Sequence, residues 1–188
     1  MERAHKVGLL FGLMFGLIAG VELVHLSDEM VCPQNICLGM AQVIPLSDRG
    51  YFPEVHRILQ NSRESIHMAV FELKYYDSYP NSSANILVED ILAARGRGVE
   101  VKIVVDDFST ENNALPLLKE NGVDVKSDSE NVTTHAKLIV VDGEVVVLGS
   151  TNLSFYGLEK NNEVDVVLVG RDAAEYYERY FLSLWDSI

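Results

Sequence analysis

The eighteen residues from His135 to Asn152, HAKLIVVDGEVVVLGSTN, constrain the fold of this chain most. Two runs within them, Leu138–Val141 and Val145–Leu148, are short, β-branched and bounded by turn residues. Each predicts a strand. Asp142-Gly143 between them is a hairpin signal. Side chains alternate along a strand, so His135, Lys137 and Ile139 fall on one face. An imidazole and an ammonium two residues apart at a strand start can both point at one anion. The Gly-Ser-Thr-Asn turn that closes the second run can bring Ser150 and Asn152 beside them. The plainer alternative is a core hairpin with one buried, satisfied histidine and a surface lysine.

The chain before and after this hairpin alternates between strand and helix patterns. Gln42–Leu46 predicts a short strand. Tyr51–Asn61 predicts a helix, with Pro53 in its first turn and Val55, Ile58 and Leu59 on one face. His56 falls off that face and is expected in solvent. Ile66–Phe71 predicts a strand whose His67 is expected to be structural. Lys74–Asn81, KYYDSYPN, predicts a turn-rich surface loop, with a lid or substrate wall as the alternative. Ala84, Leu87, Val88, Ile91 and Leu92 have helical spacing. That helix is expected to stop at Arg95-Gly96-Arg97-Gly98, where the two arginines complement its carboxyl end.

Val99–Val105 and Val123–Lys126 predict strands, separated by a short helix over Leu115–Glu120. Asp106-Asp107 is expected to serve turns and helix capping. Val164–Val169 predicts the last strand. Asp172-Ala-Ala-Glu175 has a capping-box pattern. The helix it opens would present Tyr177, Tyr180, Phe181, Leu184 and Trp185 to the core. These elements predict an α/β fold, a mixed β-sheet with helices on both faces.

The amino terminus differs from this body. Arg3, His5 and Lys6 precede fifteen apolar residues, Val7–Val21, with no polar face. Such a segment is short for a bilayer span of about twenty residues, but Leu23–Leu26 could extend it. The expectation is a hydrophobic helix over residues 1–27, a membrane anchor or a signal segment. A poor cleavage region favours the uncleaved anchor. Basic residues before the segment predict an amino terminus in the cytoplasm and the globular domain outside it. Secretion or periplasmic release after cleavage is the alternative. Residues 28–40 read as a linker. Within it Cys32 and Cys37 could close a small loop in an oxidising compartment, or remain free thiols. No neighbouring His or Cys completes a zinc site.

The hairpin pattern, H-x-K-x4-D-x6-G-S-x-N, resembles the HKD motif of the phospholipase D superfamily. Every fixed position is filled by His135, Lys137, Asp142, Gly149, Ser150 and Asn152. Six such positions coincide by chance roughly once in a hundred million starts, so the match is specific. The resemblance covers residues 41–188, expected as one phospholipase D-like catalytic domain. It is closest to the single-motif branch of bacterial periplasmic nucleases and mitochondrial cardiolipin hydrolase-type endonucleases. The Lys74–Asn81 segment looks longer than that branch usually has.

The resemblance implies a phosphodiesterase. His135 would be the nucleophile, forming a phosphohistidine. Lys137 and Asn152 would hold the non-bridging oxygens in place of a metal, and Ser150 would line the same pocket. Asp142 belongs to the catalytic motif, more as a structural acceptor at the hairpin than as a reacting group. Glu163, eleven residues after Asn152, stands where the family has a carboxylate that hydrogen-bonds the histidine. No metal or cofactor is expected.

One imidazole cannot both attack phosphorus and protonate the oxygen opposite. With one motif per chain, the second histidine is expected from a homodimer with a shared active site. The substrate is expected to be a phospholipid head-group ester, with DNA or RNA cleavage by an endonuclease as the first alternative. The net charge of −13 disfavours tracking along a nucleic-acid backbone, although a local basic patch can survive in an acidic chain. A catalytically inactive binding or scaffold domain is the second alternative.

Overall fold

The computed structural model describes residues 41–107, 112–129 and 131–188. The expected amino-terminal helix, the linker and the Cys32–Cys37 loop lie outside these residues. Among the described residues, no helix is long and apolar enough to cross a membrane.

Seven strands form one mixed sheet: β1 (Gln42–Ser47), β2 (Ser65–Val70), β3 (Glu100–Val105), β4 (Asp124–Ser127), β5 (Lys137–Val141), β6 (Val145–Gly149) and β7 (Val164–Val169). Their order across the sheet is β1-β7-β6-β5-β2-β3-β4. β2, β3 and β4 are parallel, and every other pairing is antiparallel. The two edges explain their own sequences. β1 carries Pro45, tolerated where no outer neighbour needs its missing N–H. β4 is short and carries Asp124 and Lys126, which discourage further strand addition.

Five helices cover the sheet: α1 (Tyr51–Asn61), α2 (Ser83–Gly96), α3 (Leu115–Glu120), α4 (Phe155–Glu159) and α5 (Arg171–Asp186). Alternate strand residues face opposite cores. Ile66, Met68, Ile103, Ile139 and Val147 pack with α1 and α2. Ala69, Val104, Leu138, Val140 and Val146 pack with Phe181 and the alanines of α5. The α/β fold with helices on both faces is therefore as expected.

Four local expectations need correction. His56 is not a free surface residue: its Nδ1 lies 2.5 Å from Asp90 Oδ2, joining α1 to a buried carboxylate of α2. Tyr180 is exposed, and the α5 face that meets the sheet runs through Ala173, Ala174, Tyr177, Phe181, Leu184 and Trp185. The capping box does not form. The cap of α5 is Gly170, whose N–H donates to Glu144 O, so the helix starts before Asp172, and Glu175 pairs with Arg179. Arg97 reaches beyond its own helix, donating to Leu59 O and Ser62 O at the end of α1.

Candidate active site

Strand directions bring distant segments together at one end of the sheet. β2 and β6 end there, while β5 and β7 begin there. Phe71 follows β2, His135 precedes β5, Ser150 and Asn152 follow β6, and Glu163 precedes β7. Phe71 N–H donates to Ala136 O at 3.1 Å, continuing the β2–β5 ladder up to the histidine.

His135 is exposed, and Lys137 is half-buried beside it. Lys137 Nζ lies 3.3 Å from both ring nitrogens of His135 and donates to the His135 carbonyl at 2.9 Å. The Phe71 ring supports both groups. Its centroid is 4.7 Å from that of the imidazole and 5.0 Å from Nζ. Burial pushes the Lys137 pKa below its usual value. Glu163, Glu72 and Asp106 oppose that shift through their charges.

The backbone entering His135 is pinned from below. Thr134 N–H lies 2.6 Å from Asp128 Oδ2 and 3.0 Å from Asp106 Oδ2. Asp128 also accepts from Asp107 N–H at 2.7 Å. The Asp106-Asp107 pair therefore serves the loop that carries the histidine, a role its turn-forming sequence did not reveal.

The Gly-Ser-Thr-Asn turn is held by β7. A Cβ at Gly149 would run into the carboxylate and Cα of Asp165, so only glycine permits this approach. Asp165 then accepts from Thr151 N–H at 3.1 Å and from Thr151 Oγ1 at 2.6 Å. Gly157 is equally constrained, because a Cβ there would meet the Asn152 carbonyl. Ser150 Oγ donates to Glu163 Oε2 and accepts from Val164 N–H at 3.1 Å. Asn161 Nδ2 donates to Glu163 Oε1 at 2.9 Å. Asp48 holds the Glu163 backbone, accepting from its N–H at 2.9 Å. Both Glu163 oxygens therefore have partners, Ser150 and Asn161, rather than the His135 ring that the resemblance implied.

Asn152 Oδ1 is buried without a hydrogen-bond partner. A half-turn of the amide would put its NH2 there instead, so this edge can accept from a ligand or donate to one.

Asp142 is not brought to the other motif residues. It occupies the turn at the opposite end of β5, roughly 17 Å of strand away. Its Oδ1 accepts from Arg63, Glu64 and Ser65 N–H at 3.1, 2.7 and 3.0 Å. His67 is also remote in function. It is buried between Glu178, 2.6 Å from Nδ1, and Glu100, 3.0 Å from Nε2, and stacks on Phe181.

Residues 55–185 match the family model described as "Cardiolipin synthase, PLD-like domain". The chain belongs to the phospholipase D superfamily. The mitochondrial cardiolipin hydrolase of Xenopus tropicalis is 25% identical over 169 residues, covering 87% of this chain and 76% of that protein. A phospholipase D of Rickettsia bellii is 26% identical over 127 residues, covering 66% of this chain and 59% of that protein. The crystal structure of NUC from Salmonella typhimurium, a phospholipase D family member, superposes with a TM-score of 0.68 at 24% identity. It covers 78% of this chain and 95% of its own. NucT from Helicobacter pylori gives a TM-score of 0.65 at 18% identity.

Proposed function

We propose that this phospholipase D-type phosphodiesterase hydrolyses phospholipid head-group esters through a phosphohistidine on His135. The carrying observation is the contact of His135 with Lys137 at an exposed strand end, beside the unpartnered Asn152 amide. This supports a nucleophile and a cation acting together on one phosphate, with the Asn152 amide on the turn that follows the neighbouring strand. Lys137 and Asn152 hold the non-bridging oxygens. Ser150 lines the pocket, and Glu163 fixes Ser150 while its charge favours the protonated form of Lys137. Asp142 holds the hairpin.

A ring nitrogen of His135 attacks phosphorus, and the P–O bond to the leaving alcohol breaks. That oxygen takes a proton from the His135 imidazolium of a second subunit. Water then attacks the phosphohistidine, giving up a proton to the same second histidine, and the P–N bond breaks. His56 and His67 do not supply this acid, because Asp90, Glu100 and Glu178 already engage their rings. The homodimer is therefore part of the proposal.

A lipid is favoured over nucleic acid by charge. Three carboxylates act on Lys137 by charge, and the whole chain carries −13. A polyanionic backbone gains its affinity by exchanging counterions for lysines and arginines. The proposal keeps residues 1–27 as an anchor or signal segment, holding the domain 41–188 at a membrane outside the cytoplasm.

The full chain is assayed in chelator against anionic phospholipid vesicles, single-stranded DNA and RNA. Release of the lipid head group is expected. Activity lost in chelator and restored by a divalent ion would overturn the metal-independent mechanism. Turnover of nucleic acid alone would return the chain to the nuclease reading.

A further inference from the structure

Two clefts lead away from the catalytic end. The first, of about 450 Å³, is lined by Glu72, Lys74, Asn113 and Ser154, with Tyr76 and Tyr156 at its far side. Glu72 is one of the carboxylates acting on Lys137, and Ser154 N–H donates to Asn152 O at 2.9 Å. Glu72 and Ser154 thus put one wall of this cleft next to residues of the phosphate site. Tyr76 and Tyr156 also line the second cleft, of about 610 Å³, together with Tyr79, Pro80 and Phe155. Its remaining lining is three uncharged polar residues. The path runs from phosphate site to polar cleft to apolar cleft.

The apolar cleft is built, not a slack loop. Asn85 is fully buried and clamps Tyr76 from both sides. It accepts from Tyr76 N–H at 2.8 Å and donates to Tyr76 O at 3.0 Å. The Tyr76 hydroxyl accepts from Phe155 N–H at 3.0 Å, locking the loop to the start of α4. Tyr79 N–H donates to Tyr76 O, and Ser82 caps α2. Yet Tyr79 and Tyr156 remain 69% and 68% exposed. Aromatic side chains left in water on an anchored backbone mark a binding surface.

We infer that this aromatic cleft is the acyl-chain subsite for the lipid whose phosphate reacts at His135, an inference that rests on the lipid reading above. The order of polarity follows such a molecule: phosphate at His135 and Lys137, glycerol ester beside Lys74 and Asn113, hydrocarbon against Tyr76, Tyr79, Phe155 and Tyr156. A nucleobase would also stack on aromatic rings, but single-strand sites pair such rings with a cationic groove. Among the described residues no charged side chain lines this cleft. Lys160 reaches only the Phe155 ring, 5.3 Å from its centroid.

The test uses the full chain and phosphatidylglycerols that differ only in acyl length, held at one mole fraction in detergent micelles. Bis(p-nitrophenyl) phosphate is the small soluble control. In the wild type, kcat/KM should rise with acyl length. Tyr79→Ser and Phe155→Ser should lower kcat/KM for the long-chain lipid by at least about tenfold, and leave the soluble diester within about twofold. Tyr79→Phe should keep the wild-type profile. Retained activity on the soluble diester shows that each variant is folded. Lipid turnover that ignores acyl length would overturn the subsite and leave the lipid reading standing. Equal losses on lipid and soluble diester would make the cleft structural. A wild type that cleaves the soluble diester and DNA but no lipid would remove the lipid reading itself, and the subsite with it.

Discussion

The two ends of β5 carry residues of one motif under opposite conditions. At the hairpin end, the Asp142 carboxylate receives three backbone N–H groups and is engaged by the fold itself. At the other end, His135 is exposed, Lys137 is held below its usual pKa, and Asn152 Oδ1 is buried without a partner. Saturated polar groups stabilise a fold, whereas unsatisfied ones cost stability and are free to act on a ligand. The conserved-looking spacing of a motif therefore mixes two kinds of residue. Geometry separates them where spacing does not.

Substitution at each end should break this contrast if it is wrong. His135→Asn is expected to reduce turnover to background and abolish the phosphoenzyme. Its urea unfolding should stay within about 0.5 kcal/mol of wild type, since an exposed ring is lost. Asp142→Ala should do the reverse. It removes a carboxylate from three N–H donors and puts alanine at a φ of +54°. A loss of about 2–4 kcal/mol is expected, with kcat per folded molecule unchanged. Reduced kcat in folded Asp142→Ala would place that residue with the chemistry.

Glu163→Gln probes the acting end more finely. The carboxylate accepts from Ser150 and Asn161 and bears on Lys137 by charge. Turnover should fall roughly a hundredfold, the size of loss expected when a preorganised electrostatic contact is removed, with the fold intact. Wild-type rates would make Glu163 a turn residue only.

The sharing of the site between subunits predicts a smaller effect. Wild-type and His135→Ala chains are unfolded together in equal amounts and refolded. Random pairing makes about a quarter of the dimers wholly wild type, so about a quarter of the activity should remain. Independent subunits would retain about half. Sedimentation checks that dimers form.

The contrast also accounts for what was legible in the sequence. Strands, helices and the hairpin were visible because each follows a local period. Asp142 and Gly143 do turn the chain, both with positive φ. His135, Lys137, Ser150 and Asn152 could be placed together because a hairpin joins their strands, whereas Glu163 was reached only through the family resemblance. The supports could not. Phe71 reads as the last apolar residue of a strand, and only the fold puts its ring under His135. Asp106 and Asp128 meet at Thr134 from separate segments, which no local pattern encodes. Likewise Tyr180 fits the helical period of α5 yet stays half exposed, lining an open cleft with Lys137, Leu138, Leu148 and Gly149. The Tyr-rich loop read as plain surface because its anchor, Asn85, is hidden within the next helix.

The smallest expected effect concerns the charge on Lys137. Burial lowers its pKa, and Glu163, Glu72 and Asp106 pull it back upward. Phosphate is held by the ammonium, so kcat/KM should fall as pH rises through this depressed pKa. The alkaline limb should lie below the usual range for lysine. Glu72→Gln removes one upward pull and should move the limb to lower pH. Lys137→Arg keeps its charge at every accessible pH and should remove the limb, at some cost in rate. Stability supplies the control. A folded pKa below the unfolded one means that the unfolded chain binds the proton more tightly in that window. This group's contribution to stability therefore rises with pH while activity falls. A limb that tracked unfolding, or one that Glu72→Gln moved to higher pH, would remove Lys137 as its source.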